Sequence, residues 1–100
     1  TPPDAVFVAN DMMALGALEA ARNAGRTLPH DLMLVGYDDI PLASLTSPGL
    51  TTMAMPKHTL GTTAASLLHK QIETGRPTTA SRHMFDATLV VRGSTREPTP

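Results

Sequence analysis

Two pairs of polar residues, each directly after a short apolar run, are the best candidates for chemistry in this sequence. Asn10-Asp11 follows the run AVFVA, and Asp38-Asp39 follows the run LMLVGY. Amides donate and accept hydrogen bonds, and a buried carboxylate that accepts from a hydroxyl or amine group gains about 1.5–3 kcal/mol from the charge-assisted bond. These residue types predict a site for a small polar ligand with several hydroxyl or amine groups.

The apolar runs before these pairs are predicted to be neighbouring parallel strands. Residues 5–9 are rich in strand-forming types and are expected to be buried. Residues 32–35 form a continuous apolar run, bounded by Gly36 and Pro41, that is typical of a strand buried on both faces. We expect this second strand to turn at Gly36. Because ligands bind beyond the carboxyl ends of parallel strands, both polar pairs are expected at one edge of the sheet.

A helix is predicted between the two strands. Apolar residues recur at helical spacing from Met12 to Ala24, Asn10 or Asp11 can cap the N-terminus, and Gly25 can end the helix. A strand, a helix and a strand with short links form a right-handed βαβ unit. The N-terminus of this helix is therefore expected beside the polar strand ends.

Each of the four polar residues also has a structural interpretation. Asn10 is equally suited to contact a ligand and to cap the helix, whereas a ligand contact is the minor alternative for Asp11. Asp38 is favoured as a ligand contact over a role in stabilising the turn, and Asp39 is favoured as structural. Adjacent residues of an extended segment point in opposite directions, so Asp38 and Asp39 are not expected to chelate one metal ion.

The second half of the chain is predicted to add two strands and a helix. Residues 50–55 indicate a strand or an extended crossing segment, residues 56–74 keep an apolar stripe at helical spacing that Gly75 ends, and residues 83–91 predict a strand. Only three residues are aromatic, so Ala, Leu, Val and Met must fill the core. The predicted fold class is α/β, with a Rossmann-like parallel sheet and flanking helices.

No pattern in the sequence predicts a metal, cofactor or catalytic site. The chain has no cysteine, which excludes thiolate sites. Its net charge is −1 and it has no basic cluster, which argues against a nucleic-acid-binding surface. His58 and His69 are eleven residues apart on one predicted helix, about 16 Å along its axis, too far to share an ion. His30 and His83 lie in or beside predicted loops. Neither a nucleophile elbow nor a glycine-rich phosphate loop occurs, and no apolar run approaches the roughly 20 residues of a membrane span.

The first predicted helix is apolar almost all round, which raises the question of what covers its second side. One side can cover the sheet, and a subunit interface can cover the other. Leu15 and Leu18 are the candidate interface residues, and Met12 is suited to the same role. The alternative is a helix buried within a larger single chain.

Four segments carry a family resemblance, and they occur in the order FVANDMMALGALEAARNAG, LPHDLMLVGYDDIPLASLTSPGLTT, PKHTLGTTAASLLHKQI and LVVRGST. From about Asp4 to Thr95 the chain resembles the C-terminal part of LacI/GalR-type transcriptional repressors. The resemblance implies a fragment of a two-lobed effector-binding domain with the periplasmic-binding-protein-like type I fold. Residues 4–53 and 87–95 would belong to the C-terminal lobe, and residues 56–85 to the N-terminal lobe. The family's helix-turn-helix would lie before this chain.

The resemblance also implies roles for single residues. Asn10 and Asp38 match positions at which family members contact the effector, usually a sugar or a nucleobase, between the lobes. Met55 and Lys57 match the crossing segment that borders the ligand cleft, and Met55 stands where several members carry a polar side chain. The family's dimer interface matches Leu15, Leu18, Thr46 and Pro48.

The main hypothesis is a cytoplasmic effector-sensing and dimerisation module of a LacI-type repressor, in which a ligand shifts the population of two states and so controls operator binding. Its expected partners are a small effector such as a sugar, a second copy of the chain, and operator DNA through a domain that lies outside this chain. The alternative is a periplasmic solute-binding protein of a sugar transporter. An α/β enzyme is a third class, disfavoured because the strand-end acids have no visible partner base.

Overall fold

The computed structural model describes residues 1–77 and 79–96. In chain order its elements are β1 (Ala5–Phe7), α1 (Asp11–Asn23), β2 (Met33–Tyr37), a 3-10 helix (Pro41–Ser44), β3 (Thr51–Ala54), α2 (Lys57–Thr74) and β4 (Thr88–Val90). They divide between two compact units: the first holds Thr1–Ala54 and, at the other end of the described chain, residues 88–96, and the second lies within Met55–Ala87. The assignment of these units to two lobes of a larger domain stays a prediction.

The four described strands form one sheet in the order β1-β2-β3-β4. β1 and β2 run parallel with Phe7 opposite Val35, and β2 and β3 run parallel with Tyr37 opposite Met53. β4 pairs with β3 in the antiparallel direction. Since α1 packs against β2, the first unit contains the predicted βαβ arrangement, and the α/β class is confirmed.

The core of the first unit lies on the sheet face that carries Val6 and Leu34. Its buried side chains come from α1, β2, the 3-10 helix and the residue before β3, and they are Ala14, Leu18, Leu34, Ala43 and Leu50. Small and aliphatic residues fill this core, as the shortage of aromatic residues predicted.

The predicted burial of β1 is wrong for this chain, because Phe7 is 66% exposed and Ala5 is exposed as well. Side chains alternate between the two faces of a strand, so only Val6 turns toward the core. β2 alternates in the same way: Leu34 and Gly36 are buried, and its other residues are half-buried. The prediction that this strand is buried on both faces therefore holds for one face.

The predicted turn at Gly36 is also wrong, because β2 continues through Gly36 to Tyr37. The turn follows at Asp38 and Asp39, whose φ angles are +117° and +53°. Gly36 is needed for another reason: a Cβ at this position would collide with Oδ1 of Asp11. The glycine lets α1 bring a carboxylate directly against the strand.

Both helices match their predicted positions. Asn10 caps α1, which ends at Asn23, and Gly25 follows with a φ of +70°. In the second unit, α2 ends at Gly75, which adopts the left-handed conformation with a φ of +64°. Neither described helix has the length and the apolar character that a membrane crossing requires.

β4 is shorter than the predicted strand over residues 83–91. Only Thr88–Val90 is a strand, and Thr88 pairs with Ala54, the last residue of β3. Beyond Ala54 the chain leaves the sheet to begin α2 at Lys57. Residues 83–87 therefore have no strand beside them to pair with.

Candidate functional site

The parallel pairing of β1 and β2 brings the two polar pairs to the same edge of the sheet. Phe7 lies opposite Val35 in the register, and the amide of Val8 donates to the Val35 carbonyl at 2.8 Å. Asn10 and Asp38 each follow these paired residues by three positions. They form what we call the strand-end site. That either residue contacts a ligand stays a prediction.

The Asn10 side chain divides its two polar atoms between different roles. Its Oδ1 accepts from the Met13 amide at 2.9 Å and so caps α1. Its Nδ2 makes no hydrogen bond to any residue that the structure describes. The cap and the ligand contact, which were alternatives in the sequence, are thus compatible: one atom stabilises the helix and the other remains a donor.

Asp38 is held by its backbone and not by its side chain. Its amide donates to the Met53 carbonyl at 2.9 Å, whereas its carboxylate has no hydrogen bond or ion pair within residues 1–77 and 79–96. The residue is half-buried, and its φ of +117° belongs to a region that costs a non-glycine residue on the order of 1–3 kcal/mol. Strain of this kind persists only where the surroundings impose it, and here it presents an uncommitted carboxylate.

Asp39 has the structural role that was favoured for it. Its Oδ1 accepts from Nη2 of Arg92 at 2.8 Å, and both side chains are largely buried, with exposures of 28% and 21%. Arg92 also donates from Nη1 to the Leu50 carbonyl at 2.9 Å. The ion pair ties the turn to the segment after β4. Arg92 belongs to the LVVRGST motif, but no pattern near Asp39 indicated that the two residues pair.

Asp11 is a buried acid and not the helix cap. It is 0% exposed, its Oδ1 accepts from the Thr52 hydroxyl at 2.6 Å, and its Oδ2 accepts from the Ile40 amide at 2.9 Å. Burial of a carboxylate is costly unless such bonds replace its hydration. Thr52 was not among the predicted site residues, because a threonine in a short strand is ordinary and gives no signal of its partner.

The strand-end site contains groups that could form hydrogen bonds with a polar ligand. It offers an amide donor and a carboxylate acceptor, and the side chains beside them are committed to structural bonds. The described residues contain no group of three or more His, Asp or Glu side chains placed to hold a metal ion. That the chain binds neither a metal ion nor a cofactor stays a prediction.

Met55 and Lys57 lie in the second unit, at the start of α2. Met55 is half-buried, its carbonyl accepts from the Lys57 amide at 2.8 Å, and Lys57 is exposed as the first residue of the helix. Their proposed contact with a ligand stays a prediction.

The predicted dimer residues differ in how much surface they offer. Met12 is 63% exposed, whereas Leu18 is 5% exposed because it packs into the core of its own unit. Leu15 is half-buried, as are Thr46 and Pro48, and the Thr46 hydroxyl donates to the Pro48 carbonyl at 2.8 Å. Leu18 therefore presents little area to a partner, and the dimer interface stays a prediction.

Comparison with known families gives one match along nearly the whole chain. The model of the periplasmic binding protein-like domain matches residues 1–95. Among relatives, the transcriptional repressor CytR of Escherichia coli is 42% identical over 95 residues, which is 95% of this chain. This chain spans 28% of that relative's length.

Two solved structures with sugars bound are similar in fold and in sequence. The complex of the transcriptional regulator CelR with cellobiose has a TM-score of 0.84 and 41% identity, and the match covers 91% of this chain and 28% of that chain. A LacI family regulator from Arthrobacter in complex with lactose has a TM-score of 0.80 and 37% identity, and the match covers 93% of this chain and 35% of that one. The resemblance seen in the four sequence segments is confirmed.

Proposed function

This chain belongs to the periplasmic binding protein-like domain family, and from that premise we propose that it forms the effector-sensing part of a LacI-type transcriptional repressor. A repressor relative that matches along 95% of the chain supports the regulatory role. Because the chain spans 28% of that relative's length, the proposal assigns operator binding to a part of the intact protein outside this chain.

The observation that carries the proposal is the strand-end site, where two polar groups at the same end of the parallel strands have no hydrogen-bond partner among the described residues. The Asp38 carboxylate can accept from a ligand hydroxyl, and Nδ2 of Asn10 can donate to a ligand oxygen. A sugar supplies both kinds of group, and two similar structures hold cellobiose and lactose. An analogue without the matching hydroxyl would leave the carboxylate unpaired and bind weakly.

In this proposal the ligand acts by shifting the population of two states of a cytoplasmic homodimer. The ligand stabilises the state that it binds better, and that state differs in its affinity for operator DNA. The exposed side of α1 around Met12, with Thr46 and Pro48, is the proposed contact between the two copies.

The second candidate function is a periplasmic solute-binding protein of a sugar transporter, which the description of the matching family favours. Relatives described as transcriptional repressors favour the regulatory role. Both functions use the same site, so binding of a sugar does not separate them. Sugar-dependent operator binding by the intact protein would support the regulator, and operator binding that no sugar alters would remove the sensing role.

The ligand role of Asp38 is tested by Asp38→Asn in the intact protein. Asparagine tolerates a positive φ, so the turn is kept while the negative charge is lost. We expect calorimetry to show roughly tenfold weaker binding of whichever of cellobiose or lactose the wild type binds. Asp4→Asn is the matched control, because Asp4 is exposed and precedes β1. Equal affinities for Asp38→Asn and wild type would show that the ligand lies elsewhere.

A further inference from the structure

All three successive amides of the turn at residues 38–40 donate to acceptors outside the turn. The acceptors are the Met53 carbonyl for Asp38 at 2.9 Å, the Thr52 hydroxyl for Asp39 at 3.4 Å, and Oδ2 of Asp11 for Ile40 at 2.9 Å. The first acceptor belongs to the backbone of the sheet. The other two are side chains, and neither of them belongs to the strand-end site.

These two side chains are bonded to each other. The Thr52 hydroxyl donates to Oδ1 of Asp11 at 2.6 Å, which leaves its lone pairs free to accept from the Asp39 amide. Both residues are 0% exposed, so water cannot replace either partner. Gly36 leaves the space that the Asp11 carboxylate occupies. The pair is therefore fixed against the sheet before any ligand arrives.

The turn needs these hydrogen bonds because its backbone conformation is unfavourable by itself. Asp38 and Asp39 both have positive φ angles, of +117° and +53°. Without bonds to hold it, the backbone would move toward negative φ, and the Asp38 carboxylate would point elsewhere. The direction of that carboxylate thus depends on bonds made by the next two residues along the chain.

We propose that Asp11 and Thr52 are positioning residues: they hold the turn so that Asp38 presents its carboxylate to the ligand, and they do not touch the ligand themselves. The inference rests on the proposed function, in which Asp38 binds the ligand. A turn that adopts its binding conformation only part of the time lowers the apparent affinity by that fraction. Loss of the hydrogen bonds to Asp11 and Thr52 should therefore weaken ligand binding even though the protein remains folded.

Thr52→Val is the sharpest test, because valine keeps the shape and the β-branch of threonine but removes the hydroxyl. In the intact protein we expect about tenfold weaker binding of cellobiose or lactose by calorimetry well below the unfolding temperature, which corresponds to about 1.4 kcal/mol. Amide hydrogen exchange at residues 39 and 40, measured without any sugar, should become about tenfold faster. Thr52→Ser keeps the hydroxyl and should restore both quantities to within about twofold of the wild type.

Ser94→Ala is the matched control for a general loss of stability. Ser94 is 1% exposed, and its hydroxyl donates to the Leu34 carbonyl at 2.6 Å and accepts from the Thr51 amide at 2.8 Å. None of its hydrogen bonds in the described part of the chain involves residues 38–40. We expect Ser94→Ala to lower the melting temperature while sugar affinity and exchange at residues 39 and 40 stay at their wild-type values.

The inference is overturned by unchanged amide exchange at residues 39 and 40 in Thr52→Val, or by equal losses of sugar affinity in Thr52→Val and Ser94→Ala. A Thr52→Ser variant that binds sugar as weakly as Thr52→Val also overturns it. The Asp38→Asn variant shows whether the positioning role of Asp11 and Thr52 has failed or the ligand role of Asp38 itself. Weak binding by Asp38→Asn with normal binding by Thr52→Val rejects the positioning role alone. Normal binding by Asp38→Asn rejects the ligand role of Asp38, and the positioning role falls with it.

Discussion

Gly36 of β2 leaves room for the carboxylate of Asp11, the first residue of α1. A Cβ on Gly36 would collide with Oδ1 of Asp11 and come within 3.2 Å of a methyl group of Leu50. Both neighbours belong to fully buried side chains, so neither can swing into solvent. The absence of a side chain at this position therefore decides whether the buried carboxylate can reach Thr52.

Gly36→Ala should accordingly lower the free energy of unfolding of the intact protein by about 2–3 kcal/mol, since it overpacks the core and displaces a buried hydrogen-bonded acid. Chemical denaturation measures this as a fall in the midpoint. Gly16→Ala is the control: a Cβ there meets nothing within 4 Å, and alanine in a helix is favoured by about 0.5–1 kcal/mol. Similar midpoints for the two variants would contradict the close approach.

At the residue scale, the sequence indicated where in the sheet the candidate site residues lie, but it did not indicate the hydrogen-bond partners of their neighbours. Asn10 and Asp38 stand out because each follows an apolar run, and parallel strands bring such positions together. The bond between Asp11 and Thr52 joins residues 41 positions apart, and nothing local to either residue indicates it. This bond depends on the packing that brings the start of α1 beside β3, and that packing exists only in the folded chain.

At the element scale, α1 combines a structural and a proposed binding function in its cap. Oδ1 of Asn10 accepts from the Met13 amide at 2.9 Å, and Nδ2 is the proposed ligand donor. A cap of this kind contributes about 1 kcal/mol. A substitution that keeps the cap oxygen but removes the amide should therefore separate the stability of the helix from the affinity for the ligand.

Asn10→Ser makes that separation, because serine caps a helix about as well as asparagine. We expect an unchanged melting temperature and roughly fivefold weaker binding of the sugar that the wild type binds, from the loss of one neutral hydrogen bond. Asn10→Ala should weaken binding equally and also destabilise the protein by about 1 kcal/mol. Wild-type affinity in Asn10→Ser, measured by calorimetry, would remove Asn10 from the ligand site.

At the element scale, the bounds of the helices were predicted more accurately than those of the strands. The bounds of α1 and α2 follow from spacing, caps and the glycines after them, all of which are local signals. β4 stops at Thr88 because its partner strand ends at Ala54, and this limit is set by a segment more than thirty positions away. β1 was predicted as a strand correctly, but its burial depends on what covers its second face.

At the scale of the whole molecule, the first unit leaves apolar side chains and strand edges open. β1 and β4 are the edge strands of the described sheet, and Phe7 of β1 and Leu89 of β4 are 66% and 53% exposed. Open edges with apolar residues are templates for pairing with other chains. The 100-residue chain, produced by itself, should therefore be marginally stable and prone to aggregate, and a cooperative melt of a monomer would contradict this.

Phe7→Lys tests whether the exposed edge is the cause, because a charge on an edge strand opposes pairing between chains. For the isolated chain, we expect the concentration that remains in solution after sedimentation to be several times higher for the variant than for the wild type. Met84→Lys is the matched control. Met84 is 82% exposed and lies outside the sheet, so this substitution adds the same charge without changing the edge strand β1. If both variants raise the soluble concentration equally, net charge and not the edge of β1 controls association. If neither does, aggregation begins at another part of the molecule.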